Sequence, residues 1–180
     1  MNSRVAWAIA LAVPLLAPER AHAQDKVFVA LPAAFDFESE ATAKLRKDCA
    51  IADVVSKEII KNVKNRVPAA HEIDDWRKAG VTPVVRVWIT QVQPGASYGA
   101  NPQDWMNRMA IRAELYQESQ KVYFGEWRAS SVSMGDAVCP PFDRIAGSLG
   151  KNVATWIPLA LRVSAANRAE AESAAKPPAQ

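Results

Sequence analysis

"TPVVRVWITQV", residues 82–92, is the stretch on which the fold turns. It is rich in β-branched residues, and from Val85 onward apolar and polar or amphipathic side chains alternate. Val85, Val87 and Ile89 form one set; Arg86, Trp88 and Thr90 form the other. A period of two over this length marks a strand with one buried face, and branched side chains suit it. Two more alternating stretches follow, "NRMAIRAELYQ" (107–117) and "KVYFGEWRAS" (121–130). Glu118-Ser119-Gln120 joins them as a tight hairpin. Three sequential strands of this kind form an antiparallel meander.

The period changes on either side of the meander. Upstream, "KVFVALP" (26–32) reads as a first strand ended by Pro32, and "AAFDFESE" as a loop whose carboxylates are solvated. From Glu40 to about Val67, Ala41, Leu45, Cys49, Ala52, Val55, Ile59 and Val63 recur at threes and fours, the stripe of an amphipathic helix that Pro68 stops. "AAHEI" (69–73) is a candidate short strand, and "DDWRKAG" a helical turn or two closed by Gly80. Asp74 and Asp75 are adjacent, about 100° apart on a helix, so they suit a first turn rather than a facing acid pair. Downstream, "FDRIAGSLGKNVATWI" (142–157) resumes helix period, with Pro141 at its first turn and Pro158 limiting it. Two amphipathic helices need an apolar sheet face to cover. The expected fold is therefore α+β, a two-layer sandwich with a mainly antiparallel sheet and both long helices on one face.

The first residues set the compartment. Arg4 is a short positive region, Val5 to Ala17 an apolar stretch too short to span a bilayer, and Ala21-His22-Ala23 a small-x-small cleavage site. Residues 1–23 thus read as a signal peptide, with a mature chain from Gln24. No lipid-attachment cysteine stands at the cleavage point, so a periplasmic or secreted protein without a lipid anchor is expected. Residues 24–163 form one α+β domain, and 164–180, rich in Ala, Glu and Pro, a disordered tail. The whole chain carries +3; removing Arg4, Arg20 and Glu19 leaves +2. So small a balance points away from nucleic acid. No later stretch is apolar enough to span a membrane as a helix. Cys49 and Cys139 are the chain's two cysteines, and in an oxidising compartment they are expected to form a disulfide.

The sequence also holds a literal G-x-S-x-G at Gly95–Gly99, the pattern of a nucleophile elbow around Ser97. The elbow needs a helix directly after the serine, yet "ANPQDW" leads into another strand. It also needs a histidine later in the chain, and none follows. Ser97 reads as a hairpin-loop serine, and the chain as no enzyme. His71 is the one histidine of the mature chain, so no metal site is expected, and no cofactor.

The meander's two faces differ. One carries Val85, Val87, Ile89, Met109, Ile111, Ala113, Leu115, Val122 and Phe124, and belongs under the helices. The other carries Arg86, Trp88, Arg112, Glu114, Tyr116, Tyr123 and Trp127. Arginines interleaved with large aromatics are the residue types of binding hot spots, so Arg86, Trp88, Arg112, Tyr116, Tyr123 and Trp127 are the candidate partner-binding set. Their alternative role is cross-strand stacking that stabilises the sheet.

The order of elements, with "VTPVVRVWITQVQPG" as a strand running into a glycine-containing loop, resembles a group of small bacterial envelope domains. The group includes the amino-terminal domain of TolB and the ABC-transport auxiliary proteins. The resemblance implies a non-catalytic interaction or assembly module; the aromatic and arginine face suggests a protein, an envelope component or a second copy as its partner. The alternatives are a small-ligand carrier with a pocket lined by Trp105, Phe142 or Trp156, and a hydrolase using Ser97.

Overall fold

The computed structural model describes residues 26–37, 43–95, 106–132 and 139–175. The strands are β1 (Val27–Phe35), β2 (Ala70–Ile73), β3 (Val84–Gln93), β4 (Met106–Gln117) and β5 (Gln120–Val132). The helices are α1 (Ala43–Asp48), α2 (Ile51–Arg66) and α3 (Pro140–Ala175), with a 3-10 turn at Trp76–Ala79. One sheet orders the strands β2-β1-β3-β4-β5. The β3–β4–β5 meander is antiparallel and supplies the longer ladders, whereas β1 runs parallel to both β2 and β3. The parallel pairs follow from α2, which carries the chain back so that β2 starts beside the start of β1. The result is the expected two-layer α+β sandwich, with α2 and α3 packed on the sheet and on each other.

The core lies between these layers. Val27, Val29, Val85, Val87, Ile89, Met109, Ile111 and Leu115 come from the sheet. Ile51, Val55, Ile59 and Val63 come from α2, and Phe142, Ile145, Leu149, Val153 and Ile157 from α3. The two helices approach closely at Gly150, where a Cβ would stand 2.7 Å from the Glu58 carbonyl oxygen.

Three boundaries differ from the sequence reading, each for a packing reason. The helix expected over 40–67 is broken at Ala50, which takes a left-handed conformation at φ 44°, ψ 43°. Cys49 and Ile51 are both buried, and a continuous helix would set two such positions about 200° apart; the break lets both face the core. Strand β1 passes through Pro32, after a cis Leu31–Pro32 bond, to Phe35. Its pairing with β2 ends at Ala30 and its register against β3 shifts between Ala30 and Ala34, so Pro32 sits in a bulge where no ladder needs its N–H.

Helix α3 runs through Pro158 to Ala175 instead of giving way to a tail at 164. Burial of Trp156, Ile157, Ala160 and Ser164 holds the turns around the proline against the sheet. Ser164 Oγ donates a 2.6 Å hydrogen bond to Gln117 Oε1. Alanines, Glu170 and Arg168, good helix formers, continue the exposed end. Residues 1–23, expected from the sequence to be a signal peptide, and the end of the expected tail, 176–180, lie outside the described residues. No helix among the described residues is long and apolar enough to cross a membrane.

Candidate functional site

The helices leave the outer face of β3 and β4 uncovered, and ladder register decides what meets there. Arg86 stands opposite Glu114, Trp88 opposite Arg112, and Val84 opposite Tyr116. Glu114 is the centre of the face and only 4% exposed. Trp88 Nε1 and Tyr116 OH each donate to its Oε2 at 2.8 Å, and Lys121 Nζ donates to Oε1 at 3.2 Å. Burial alone would push the Glu114 carboxyl up; the hydrogen bonds from Tyr116, Trp88 and Lys121, with the Lys121 charge, outweigh it and hold the group below the ordinary carboxylate range. Burial, then the hydrogen bond to Glu114 and its charge, push the Tyr116 phenol up, so it stays a donor.

Arg112 extends the network. Its Nη2 donates to Asp36 Oδ2 at 2.7 Å, and its Nη1 lies 3.8 Å from Glu126. Its Nε sits 3.3 Å from Glu114 Oε1, close enough to pair ionically but too poorly aligned to hydrogen-bond.

Arg86 is held differently. Its guanidinium carbon lies 4.4 Å from the Trp88 ring centre, 4.8 Å from that of Trp76 and 5.4 Å from that of Tyr116. The Trp76 and Tyr116 rings are themselves 5.1 Å apart. No carboxylate among the described residues comes within 4.0 Å of Arg86. Beside it a shallow pocket of about 150 Å³ is lined by Leu31, Pro32, Asp74, Trp76, Arg86 and Trp88.

Of the six candidate residues, Arg86, Trp88, Arg112 and Tyr116 are brought together on this face. Tyr123 and Trp127 are not. Their cross-strand partners are Leu115 and Ile111, both buried on the core side, and both rings pack on Trp156 of α3, at 6.0 Å and 5.7 Å. The faces of β5 are thus the reverse of those expected: Val122 and Phe124 point outward, 37% and 57% exposed. The cause lies at Gly125 on the core side, where a Cβ would meet the Trp127 ring at 2.6 Å and Trp156 Nε1 at 3.0 Å. The missing side chain makes room for the indoles under the helix.

Sequence reading missed Trp76. Its signal was the start of a turn capped by Asp75, whose side chain accepts from the Arg77 backbone N–H at 3.1 Å. Asp36 was read as a solvated loop residue, yet it closes the Arg112 network from the end of β1. The disulfide is present: Cys49 and Cys139 are bonded, with Cα atoms 5.1 Å apart. Ser97 and Trp105 fall outside the described residues. Phe142 and Trp156, the other residues of the expected ligand pocket, are buried in the core, on the opposite side of the sheet from the shallow pocket.

These layers and this topology define a class, the two-layer α+β domain with a mixed five-strand sheet. Within that class, the chain is similar to protein XCC0632 from Xanthomonas campestris, described as family-model DUF330, with TM-score 0.54 and 9% identity over 78% of this chain and 87% of that one. It is also similar to the PelC dodecamer from Paraburkholderia phytofirmans, with TM-score 0.49 and 14% identity over 73% and 87% of the two chains. A third is a minor lipoprotein from Acinetobacter baumannii, with TM-score 0.44 and 10% identity over 73% and 91%. No family model matches the chain, nor does any curated protein. The likeness is one of fold alone, and it does not single out the TolB amino-terminal domain.

Proposed function

We propose that this chain is an exported, non-catalytic envelope interaction module, and that it engages its partner through the outer sheet face around Arg86. One observation carries the reading. Arg86 lies against three rings on the sheet face opposite α2 and α3, with no carboxylate of its own among the described residues within 4.0 Å. Arginine and tryptophan in such a setting dominate the energy of many interfaces. An anionic group on a partner would complete the arginine. The proposal includes cleavage of residues 1–23 and release into the periplasm or beyond; a disulfide fits an oxidising compartment.

The test compares Arg86→Ala, Trp88→Ala and Trp127→Ala for crosslinked capture of envelope partners and for unfolding midpoint. Arg86→Ala should weaken capture by about 2 kcal/mol or more and leave the midpoint nearly unchanged. Trp127→Ala, which removes a ring packed on α3, should lower the midpoint and spare capture by the folded fraction. Capture that survives Arg86→Ala and Trp88→Ala would place the interaction elsewhere.

A further inference from the structure

We infer that the free edge of β5 pairs with β5 of a second copy, antiparallel and centred on Trp127. The inference goes beyond the proposed function and does not depend on it, since it uses the sheet's edge and not the face around Arg86. The two edges of the sheet are unlike. At one end β2 is four residues long, and Lys64 and Glu72 form an ion pair at its side. At the other end β5 runs for 13 residues without a proline, and no described strand lies beyond it. Between the bulge at Val122 and Val132, whose carbonyl accepts from Arg144 at 3.4 Å, every second residue of such a strand turns an N–H and C=O outward, a template for another strand.

The sequence of β5 is complementary to itself in one register. With Trp127 opposite Trp127 of the second copy, Glu126 faces its Arg128, and by the two-fold axis Arg128 faces its Glu126. Phe124 then faces Ser130, Gly125 faces Ala129, and Val122 faces Val132. Positions related in this way share a face, so the sheet continues with five strands from each copy and all helices on one side.

The groups involved are available. Among the described residues Arg128 has no carboxylate within 4.0 Å, and Glu126, whose side chain is 57% exposed, pairs with Arg112 alone, at 3.8 Å. Val122 and Val132, 37% and 46% exposed, would cover one another at both ends. The neighbouring registers on the same face are disfavoured. Centring on Glu126 sets glutamate against glutamate, and centring on Arg128 sets arginine against arginine. Like charges directly opposite oppose pairing, so the charges that would keep an edge strand from aggregating select one partner alignment here.

Sedimentation of the full chain, from micromolar to millimolar concentration, tests the pairing. The native chain should show a reversible monomer–dimer equilibrium that weakens with added salt. Arg128→Glu should raise the dissociation constant at least about tenfold, since two attractive pairs become repulsive. Its dimer should strengthen with salt, the opposite response, because screening then relieves repulsion. Arg128 is exposed and faces Ala110 on β4, so this variant keeps its fold. Glu126→Arg should weaken the dimer likewise, and the double exchange Glu126→Arg with Arg128→Glu should restore it. Glu126→Arg also faces Arg112 in its own chain; should it fail to fold, the reversed salt response of Arg128→Glu decides alone. A chain monomeric throughout, an Arg128→Glu dimer as tight as the native one, or a folded double exchange no better than the single variants would each overturn the proposal.

Discussion

Glu114 shows how one residue sets the chemistry of a face. A carboxylate 4% exposed is costly unless donors and cations surround it, and here an indole, a phenol, an ammonium and a guanidinium do. The sign of its pH effect follows from its depressed folded value. The ionised group contributes stability in full above the ordinary value of 4.5, and loses it as pH falls through the lower folded value. Glu114→Gln should cost about 2 kcal/mol near neutrality, because it removes the charge and leaves donors imperfectly paired. In acid below the carboxylate range the cost should shrink, since the native side chain is then protonated as well. Urea unfolding of both proteins at the two pH values checks this; an equal cost at both would mean the charge is immaterial. Alternation placed Glu114, Arg86, Trp88, Arg112 and Tyr116 on one face from the sequence alone. It could not reveal Trp76 or Asp36, which arrive from the 3-10 turn and the end of β1 through tertiary packing.

At the scale of elements, the strands and helices that alternate strongly were legible, and those whose pattern competes with packing were not. From Val85 to Ile89 strand β3 has one strictly apolar set, so its faces there admit a single reading. On β5 the choice was between Val122 with Phe124 and Tyr123 with Trp127; hydropathy favours burying the first pair, whereas volume and the space above Gly125 decide for the second. Helix α2 was found, but the break at Ala50 carries no glycine or proline to announce it. The reversed faces of β5 give a direct prediction. Were Gly125 on the outer face, Gly125→Ala would be harmless in a strand or slightly stabilising. On the core side its Cβ would meet the Trp127 ring at 2.6 Å and 2.8 Å. The rings are confined by Trp156, so Gly125→Ala should destabilise by about 1–3 kcal/mol, the ordinary cost of overpacking. Thermal unfolding measures it, and an unchanged or raised midpoint would show that the indoles yield freely.

For the whole molecule, the Cys49–Cys139 bond joins two parts of the helical layer that lie far apart in sequence. It ties the chain just after α1 to the first residue before α3, across a sequence separation of 90. Helix α1 has one buried residue, Leu45, and Arg46 stacks over the Phe35 ring at 4.3 Å, so the disulfide adds a covalent tie to a short element. Cys139 Sγ also lies 3.8 Å from the Asp48 carbonyl, so the two ends meet. Closing a loop of this length removes conformations chiefly from the unfolded chain, and the chain-entropy relation gives about 4–5 kcal/mol. A domain of this size is commonly stable by about 5–15 kcal/mol, so the bond accounts for a large share and the reduced protein stands near its folding limit. Cys49→Ser with Cys139→Ser should therefore lower the urea midpoint sharply, by the equivalent of about 4 kcal/mol, without changing the native secondary structure of the folded fraction. The same loss should appear when the native protein is unfolded in a thiol reductant, and it should be absent when the reductant is added to the double serine variant. A loss below about 1 kcal/mol would mean that the α2–α3 contact already confines both cysteines, and that the bond records their proximity without causing it.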